Sequence, residues 1–361
     1  MAEISAKMVK ELREMTGAGM MDCKKALAKT DGDMDAAVEE LRKSGAAKME
    51  KKAGRIAAEG ICRVAVKDDK AAAVVEVNSE TDFVAKNEVF QGFVENVAAK
   101  ALESGLAGGM NGEDVEALLA QGGLQEELVE KTATIGEKLS VRRFKRVEGE
   151  CVVSYIHGGG RIGVVVAAKG GNGDAVKEAL TNIAMQVAAM NPQYVSRNDI
   201  SEAEMEKLRD IVVESSLNDA PTLPKPLLQK LIDKAVEDKV WSDEDIAIYE
   251  EKKSNMNYLF NFLSEAARQA LAGMAIEKKA EFLNEKIFSG LVEGRISKQL
   301  KEICLMDQVY VKAEDGKQSV GKYLESVSKE LCITEFVRFE VGEGMEKKNE
   351  DFAAEVAAQL G

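Results

Sequence analysis

The feature that most constrains how this chain can fold is an internal repeat. Moved forward by 90 positions, GICRVAVKDDKAAAVVEV from Gly60 lies over ECVVSYIHGGGRIGVVVA from Glu150 without a gap. The same offset puts Val74 over Val164, Phe90 over Leu180, Phe93 over Ile183, and Val97-Ala98-Ala99 over Val187-Ala188-Ala189. Each copy reads as strand, tight turn, strand, connection and helix, because a β-branched run gives way to apolar residues at helical spacing. Two such units predict an α+β protein with two related core subdomains.

The copies part company at the connection. Ser79-Glu80-Thr81-Asp82-Phe83 lies over Lys169-Gly170-Gly171-Asn172-Gly173, so the second copy joins the same strand and helix through a glycine-rich link. A fold that closes without Thr81-Asp82-Phe83 does not obviously require them. Phe83 either tucks beneath its own subdomain, as loop phenylalanines commonly do, or is offered to another molecule. The comparison of copies leaves both open.

Residues 1–54 read as three short helices. Met8, Leu12 and Met15 share a face after Ser5, an N-cap residue; Thr16-Gly17-Ala18-Gly19 and Asp31-Gly32-Asp33 are the breaks; Met34, Ala37, Val38 and Leu41 repeat the helical spacing. Residues 55–140 are then expected to form the first core subdomain and 141–198 the first part of the second. A helical insertion follows over 199–305, broken by Pro221, Pro224 and Pro226 and holding Trp241. Its pattern predicts a hairpin or coiled-coil arm. Over 306–345, Gln308–Lys312 and Thr334–Val341 alternate like strands and should complete the second sheet, and 346–361 should close the chain with a helix over Asp351–Leu360.

The chemistry available is narrow. The 361 residues carry a net charge of −14, which argues against nonspecific nucleic-acid binding. That charge lies beyond residue 60, since residues 1–60 hold 12 Lys/Arg against 11 Asp/Glu. No apolar run reaches the length of a membrane span and no apolar signal stretch opens the chain, so a cytoplasmic protein is expected. Cys23, Cys62, Cys151, Cys304 and Cys332 are scattered without a CxxC, which fits reduced, buried thiols. Gly158-Gly159-Gly160-Arg161-Ile162-Gly163 matches GxGxxG literally, yet it joins two strands, whereas a dinucleotide site needs the loop to open a helix. The single histidine, His157, excludes multi-histidine metal sites. No nucleophile–base set is visible, so no enzyme, cofactor or metal site is expected.

Four separated stretches, MVKELREMTGAGMMDCKKAL (Met8–Leu27), VNSETDFVAKNEVF (Val77–Phe90), Ile162–Ala168 and RFEVGEGMEKKNEDFAAEVAA (Arg338–Ala358), resemble bacterial elongation factor Ts in the family's own order. The resemblance implies a translation factor of protein biosynthesis, a guanine-nucleotide exchange factor for elongation factor Tu in its GDP-bound and nucleotide-free states. It implies no direct nucleotide binding, no cofactor, no membrane, and a UBA-like three-helix N-terminal module. Thr81, Asp82, Phe83 and Val84 match the family's TDFV element, associated with dislodging the partner's magnesium, with Phe83 as wedge. Met20, Met21 and Lys24 stand in the GAGMMDCKKAL pattern expected to touch the partner's nucleotide domain, although Met20 fits a core position equally well. Gln186 stands where the family often has His, so a contact made there by an imidazole passes to an amide or is lost. The long insertion offers a route to a homodimer, the alternative being an assembly bridged by the partner. The competing class is a binding or scaffold protein that uses the N-terminal module and insertion without exchange activity.

Overall fold

In the computed structural model, residues 4–346 are described; the helix expected over Asp351–Leu360 lies outside them. The chain divides into two compact units, one holding the residues up to Asn191 and again from Tyr310, the other Pro192–Val309.

In the first unit, α1 (Ala6–Thr16), α2 (Met20–Lys29) and α3 (Met34–Lys52) form the N-terminal helices. The side chain of Ser5 accepts the Met8 N–H, and Asp33 accepts that of Ala36, so the first and third helices start on side-chain caps. Gly17 ends α1 at φ 66°, a left-handed conformation that suits glycine. Leu12, Cys23, Leu27 and Ala37 make a small buried core with Val9, while Met15 is exposed.

The repeat folds into two antiparallel sheets. The first is β1 (Glu59–Lys67), β2 (Ala71–Ser79) and β3 (Ser140–Glu148); the second is β4 (Cys151–His157), β5 (Ile162–Lys169) and β6 (Cys332–Glu340). β3 begins at the boundary expected between subdomains but pairs with β2, so the first sheet extends to Glu148. Between β2 and β3 run α4 (Asp82–Ala85), α5 (Glu88–Glu103), α6 (Val115–Leu119) and α7 (Leu124–Ile135); α8 (Asp174–Met190) follows β5.

β2 is buried along nearly its whole length because both of its faces are covered. Ala73, Val75 and Val77 pack with Phe90, Phe93, Val94 and Val97 of α5. Ala72 and Val74 on the other face meet Val152, Val165, Ala167, Val337 and Phe339 of the second sheet. Gly163 lies at the close approach of the sheets, where a Cβ would come within 2.9 Å of Cys62 Cβ. The order is thus helix, sheet, sheet, helix.

The gapless overlay of the copies slips by one residue in the middle. Lys67 pairs with Ala71 across the first hairpin, but His157 pairs with Ile162 across the second, whose turn is one residue longer. Because side chains alternate with period two, Val165 and Ala167, rather than Val164 and Val166, occupy the layer facing Val74. The register recovers at the helix, where Phe90 and Leu180 are both fully buried.

The strand expected at Gln308–Lys312 does not form. A 3-10 turn covers Leu305–Asp307. Tyr310 is buried and stacks on Tyr323 of α16 (Val320–Val327) at 4.0 Å, and Val311 N–H donates to the side chain of Gln186. Tyr310 N–H donates to the Gln318 carbonyl and Val311 N–H to Gln186, so the segment pairs locally and does not join the second sheet.

The second unit is a globular helical bundle rather than a coiled-coil arm. It comprises α9 (Glu202–Asn218), α10 (Lys225–Glu237), α11 (Asp243–Lys252), α12 (Met256–Leu259), α13 (Glu265–Glu277), α14 (Lys279–Phe282) and α15 (Lys286–Ile303). The proline cluster separates α9 from α10, as its fixed φ and missing N–H require. The helices are short and turn around a common core that includes Leu231, Trp241, Leu271, Phe282 and Phe288, which a two-helix arm could not enclose. Trp241 Nε1–H donates to the Ala267 carbonyl at 3.1 Å. The unit is fastened where the chain enters and leaves: Tyr194 N–H donates to Ile303 O, and Leu305 N–H to Tyr194 O.

Of the five cysteines, Cys332 is exposed, contrary to expectation; the other four are buried, and desolvation raises each of their pKa values. Among the described residues no helix is long and apolar enough to cross a membrane.

Candidate functional site

The connection after β2 is built to hold one aromatic ring in solvent. In the second copy α8 begins directly after its glycine link, at Asp174, whereas in the first α4 is a separate turn that ends before Asn87 caps α5. That break is made by Asn87, whose Oδ1 accepts the N–H groups of Val89 and Phe90. Val84 points inward and is buried with the α5 core, while Phe83, one residue earlier, is 80% exposed. Burial beneath its own subdomain is therefore excluded for Phe83. It is the most exposed of the large apolar side chains among the described residues.

The base of the turn is fixed by carboxylates. Glu137, in the α7–β3 connection, accepts Thr81 N–H at 3.0 Å and the Thr81 hydroxyl at 2.7 Å. Glu80 in return accepts Lys138 N–H at 2.6 Å and contacts Arg55 at 3.2 Å. Ser79 Oγ–H donates to Thr81 O. Asp82 at the tip pairs with Lys86 at 2.8 Å, and the Lys86 ammonium lies 5.9 Å from the Phe83 ring centre. The hydrogen bond from Lys86, with backbone N–H bonds, holds the Asp82 carboxyl below the ordinary aspartate range. A depressed folded-state pKa means this contribution is present above the unfolded value and lost only as pH falls through the folded one. The tip therefore offers an apolar ring beside a self-neutralised ion pair.

The other residues singled out from the sequence lie elsewhere. Met20, Met21 and Lys24 are on α2; Met20 and Met21 are 58% and 62% exposed, so neither is a core residue. Gln186 on α8 is fully buried, and its Oε1 accepts Val311 N–H at 2.8 Å. An amide at that depth ties the 310–319 segment to the helix and is not a surface contact. The four residues Thr81–Val84 are thus the ones gathered in one place. Glu137 and Lys138, as partners of the Glu80-Thr81 connection, carry no mark in the sequence, because nothing local signals a pairing across more than 50 residues.

Comparison with known proteins bears on the family of the chain. The pattern of the family described as Elongation factor TS matches residues 80–343. The chain is 42% identical to Elongation factor Ts of Clostridium perfringens (strain SM101 / Type A) over 371 aligned residues, covering 99% of each protein. It is 41% identical to Elongation factor Ts of Clostridioides difficile (strain 630), covering all of both, and 40% identical to that of Aliarcobacter butzleri (strain RM4018), again over the full length of each. These matches define a translation elongation factor, a protein of polypeptide synthesis. Within that class, the chain belongs to the elongation factor Ts family.

Proposed function

We propose that the chain binds elongation factor Tu carrying GDP in the cytoplasm and speeds GDP release by disturbing the partner's magnesium and phosphate site, without covalent chemistry of its own. The observation that carries this reading is the placement of Phe83: an exposed ring on a turn whose neighbours are buried or hydrogen-bonded. Thr81 and Val84 anchor the turn, Phe83 enters the partner, and Asp82 acts from its ion pair with Lys86. Exposed Met20, Met21 and Lys24 on α2 supply a second contact.

The physical requirement is thermodynamic linkage. A factor that binds the nucleotide-free partner more tightly than the GDP form must weaken GDP binding by the same ratio. The nucleotide is held by backbone–phosphate contacts and a magnesium ion, so displacing that ion or its ligands removes much of the hold. GTP then rebinds by mass action.

The test is GDP release from purified elongation factor Tu, with and without the chain, in millimolar magnesium and in excess EDTA. Acceleration by at least tenfold is expected in magnesium, shrinking when EDTA removes the ion beforehand. Binding to elongation factor Tu without acceleration would favour the scaffold alternative.

A further inference from the structure

We infer that Glu137 is a positioning residue for exchange: its carboxylate sets the pose of the Phe83 turn and links that turn to the N-terminal helices. The inference rests on the proposed exchange reading. Four observations support it. First, Glu137 takes both the N–H and the hydroxyl of Thr81, at 3.0 and 2.7 Å, so it fixes the residue that precedes the α4 turn in position and in rotation. Thr81 would otherwise be free to cap α4 with its own hydroxyl, and it makes no such bond. Second, the bracket is reciprocal, because Glu80 accepts the N–H of Lys138, the residue after Glu137. Third, the same connection is gripped from the other side. Lys138 Nζ donates to the Ala53 and Arg55 carbonyls at 2.7 and 2.8 Å, and Lys52 Nζ at the end of α3 donates to the Gly136 carbonyl. Fourth, the second copy's link is held by one carboxylate bond, from Gly170 N–H to Glu150 at 2.9 Å, and presents no aromatic ring. Closing the strand–helix junction therefore does not demand the double bracket.

The chemistry favours a tight hold. Hydrogen bonds to an ionised acceptor are stronger than neutral ones, and Glu137 and Thr81 are both only partly exposed, so water competes less well for them. Two bonds on one residue leave few orientations for the turn beyond it. A pre-set turn spends none of its contact energy on ordering when it meets the partner. Freed from Glu137, the turn would populate other poses, and only the fraction in the competent pose would act. Because α2 and other surfaces supply independent contacts, the loss should fall on the maximal rate of GDP release more than on the concentration giving half of it.

The experiment measures GDP release from elongation factor Tu against concentration of the full chain and of Glu137→Ala, Glu137→Gln, Thr81→Val and Phe83→Ala variants. Glu137→Ala should lower the saturating rate about tenfold, equivalent to ~1.4 kcal/mol, with the half-saturating concentration changed less than about twofold. Glu137→Gln keeps an acceptor oxygen and should recover most of the rate. Thr81→Val removes one of the two bonds without changing side-chain shape and should give an intermediate loss; it also serves if Glu137→Ala fails to fold. In the Phe83→Ala background, Glu137→Ala should add no further loss, since a turn without its ring gains nothing from being posed. A full additional loss in that background would overturn the inference, as would wild-type rates for Glu137→Ala and Thr81→Val. So would a rate loss that tracks a fall in melting temperature and is not rescued by glutamine. If Phe83→Ala alone releases GDP at the wild-type rate, the wedge reading itself has failed, and that is read from a variant in which the bracket is intact.

Discussion

Phe83→Ala is expected to slow factor-stimulated GDP release by up to about a hundredfold while leaving the melting curve unchanged. The size follows from the ring, since fully burying a phenylalanine in a partner is worth roughly 2–3 kcal/mol, or about two factors of ten. The unchanged stability follows from its surroundings. Phe83 is 80% exposed, so truncating it opens no cavity, and the residue that seats the turn, Val84, is untouched. Stopped-flow measurement of fluorescent GDP release and a calorimetric scan of the same preparation check both halves. An unaltered rate sinks the wedge. A sharp fall in melting temperature would mean that the ring supports the fold.

The second large effect concerns stability. Glu76 is a fully buried acid in the layer between the two sheets, and its neighbours satisfy it completely. Arg143 Nε donates at 2.6 Å, Arg142 at 2.9 Å, Asn78 Nδ2 at 3.2 Å and the Gly342 N–H at 2.8 Å. Arg143 is also nearly buried and lies with its guanidinium 4.3 Å from the Phe339 ring centre. Removing Glu76 takes away the buried partner of Arg143 and leaves it only the half-exposed Glu343 at 3.1 Å, so the cost approaches the about 3–5 kcal/mol of a broken buried pair. Glu76→Ala should therefore lower the melting temperature of the core by on the order of 10 °C. Replacing both partners, Glu76→Leu with Arg143→Met, should recover much of that loss, because the penalty comes from the orphaned charge. A drop of less than about 2 °C for Glu76→Ala would show that the network is not a stabilising one.

The parts of this fold legible in the sequence are those governed by local physics. Ser5 caps the first helix, Asp31-Gly32-Asp33 breaks the chain between α2 and α3, the Asp68-Asp69 turn has the positive φ of a hairpin, and Phe83 stands out because its repeat counterpart is a glycine link. What escaped is set by distant partners. The extra turn residue before Ile162 moves β5 by one register, which only the facing sheet reveals. Val309-Tyr310-Val311 has strand-like composition, but Gln186 and Tyr323 claim it. The insertion shows helical periodicity whether its apolar faces meet in a pair or around a centre, so sequence alone could not separate an arm from a bundle. Glu137 looks like any acid after a helix until Thr81 is found beside it.

The bundle between β5 and β6 also sets a clock during synthesis. β5 ends at Lys169 and β6 at Glu340, so about 170 residues must be made before the second sheet can receive its third strand. At ~5–20 residues per second, that is roughly 10–35 s. Through this interval β5, with the valine run Val164-Val165-Val166, has β4 on one side and an open edge on the other. An apolar, unpaired edge is a template for pairing with other chains, so fragments ending before Cys332 should aggregate where the whole chain stays dispersed, a difference light scattering would read. The bundle's own helices make local contacts and can fold while the edge waits. Its residues, Pro192–Val309, make up most of that span and so set most of the time each nascent chain carries an incomplete sheet, whatever the bundle contributes once the protein is finished.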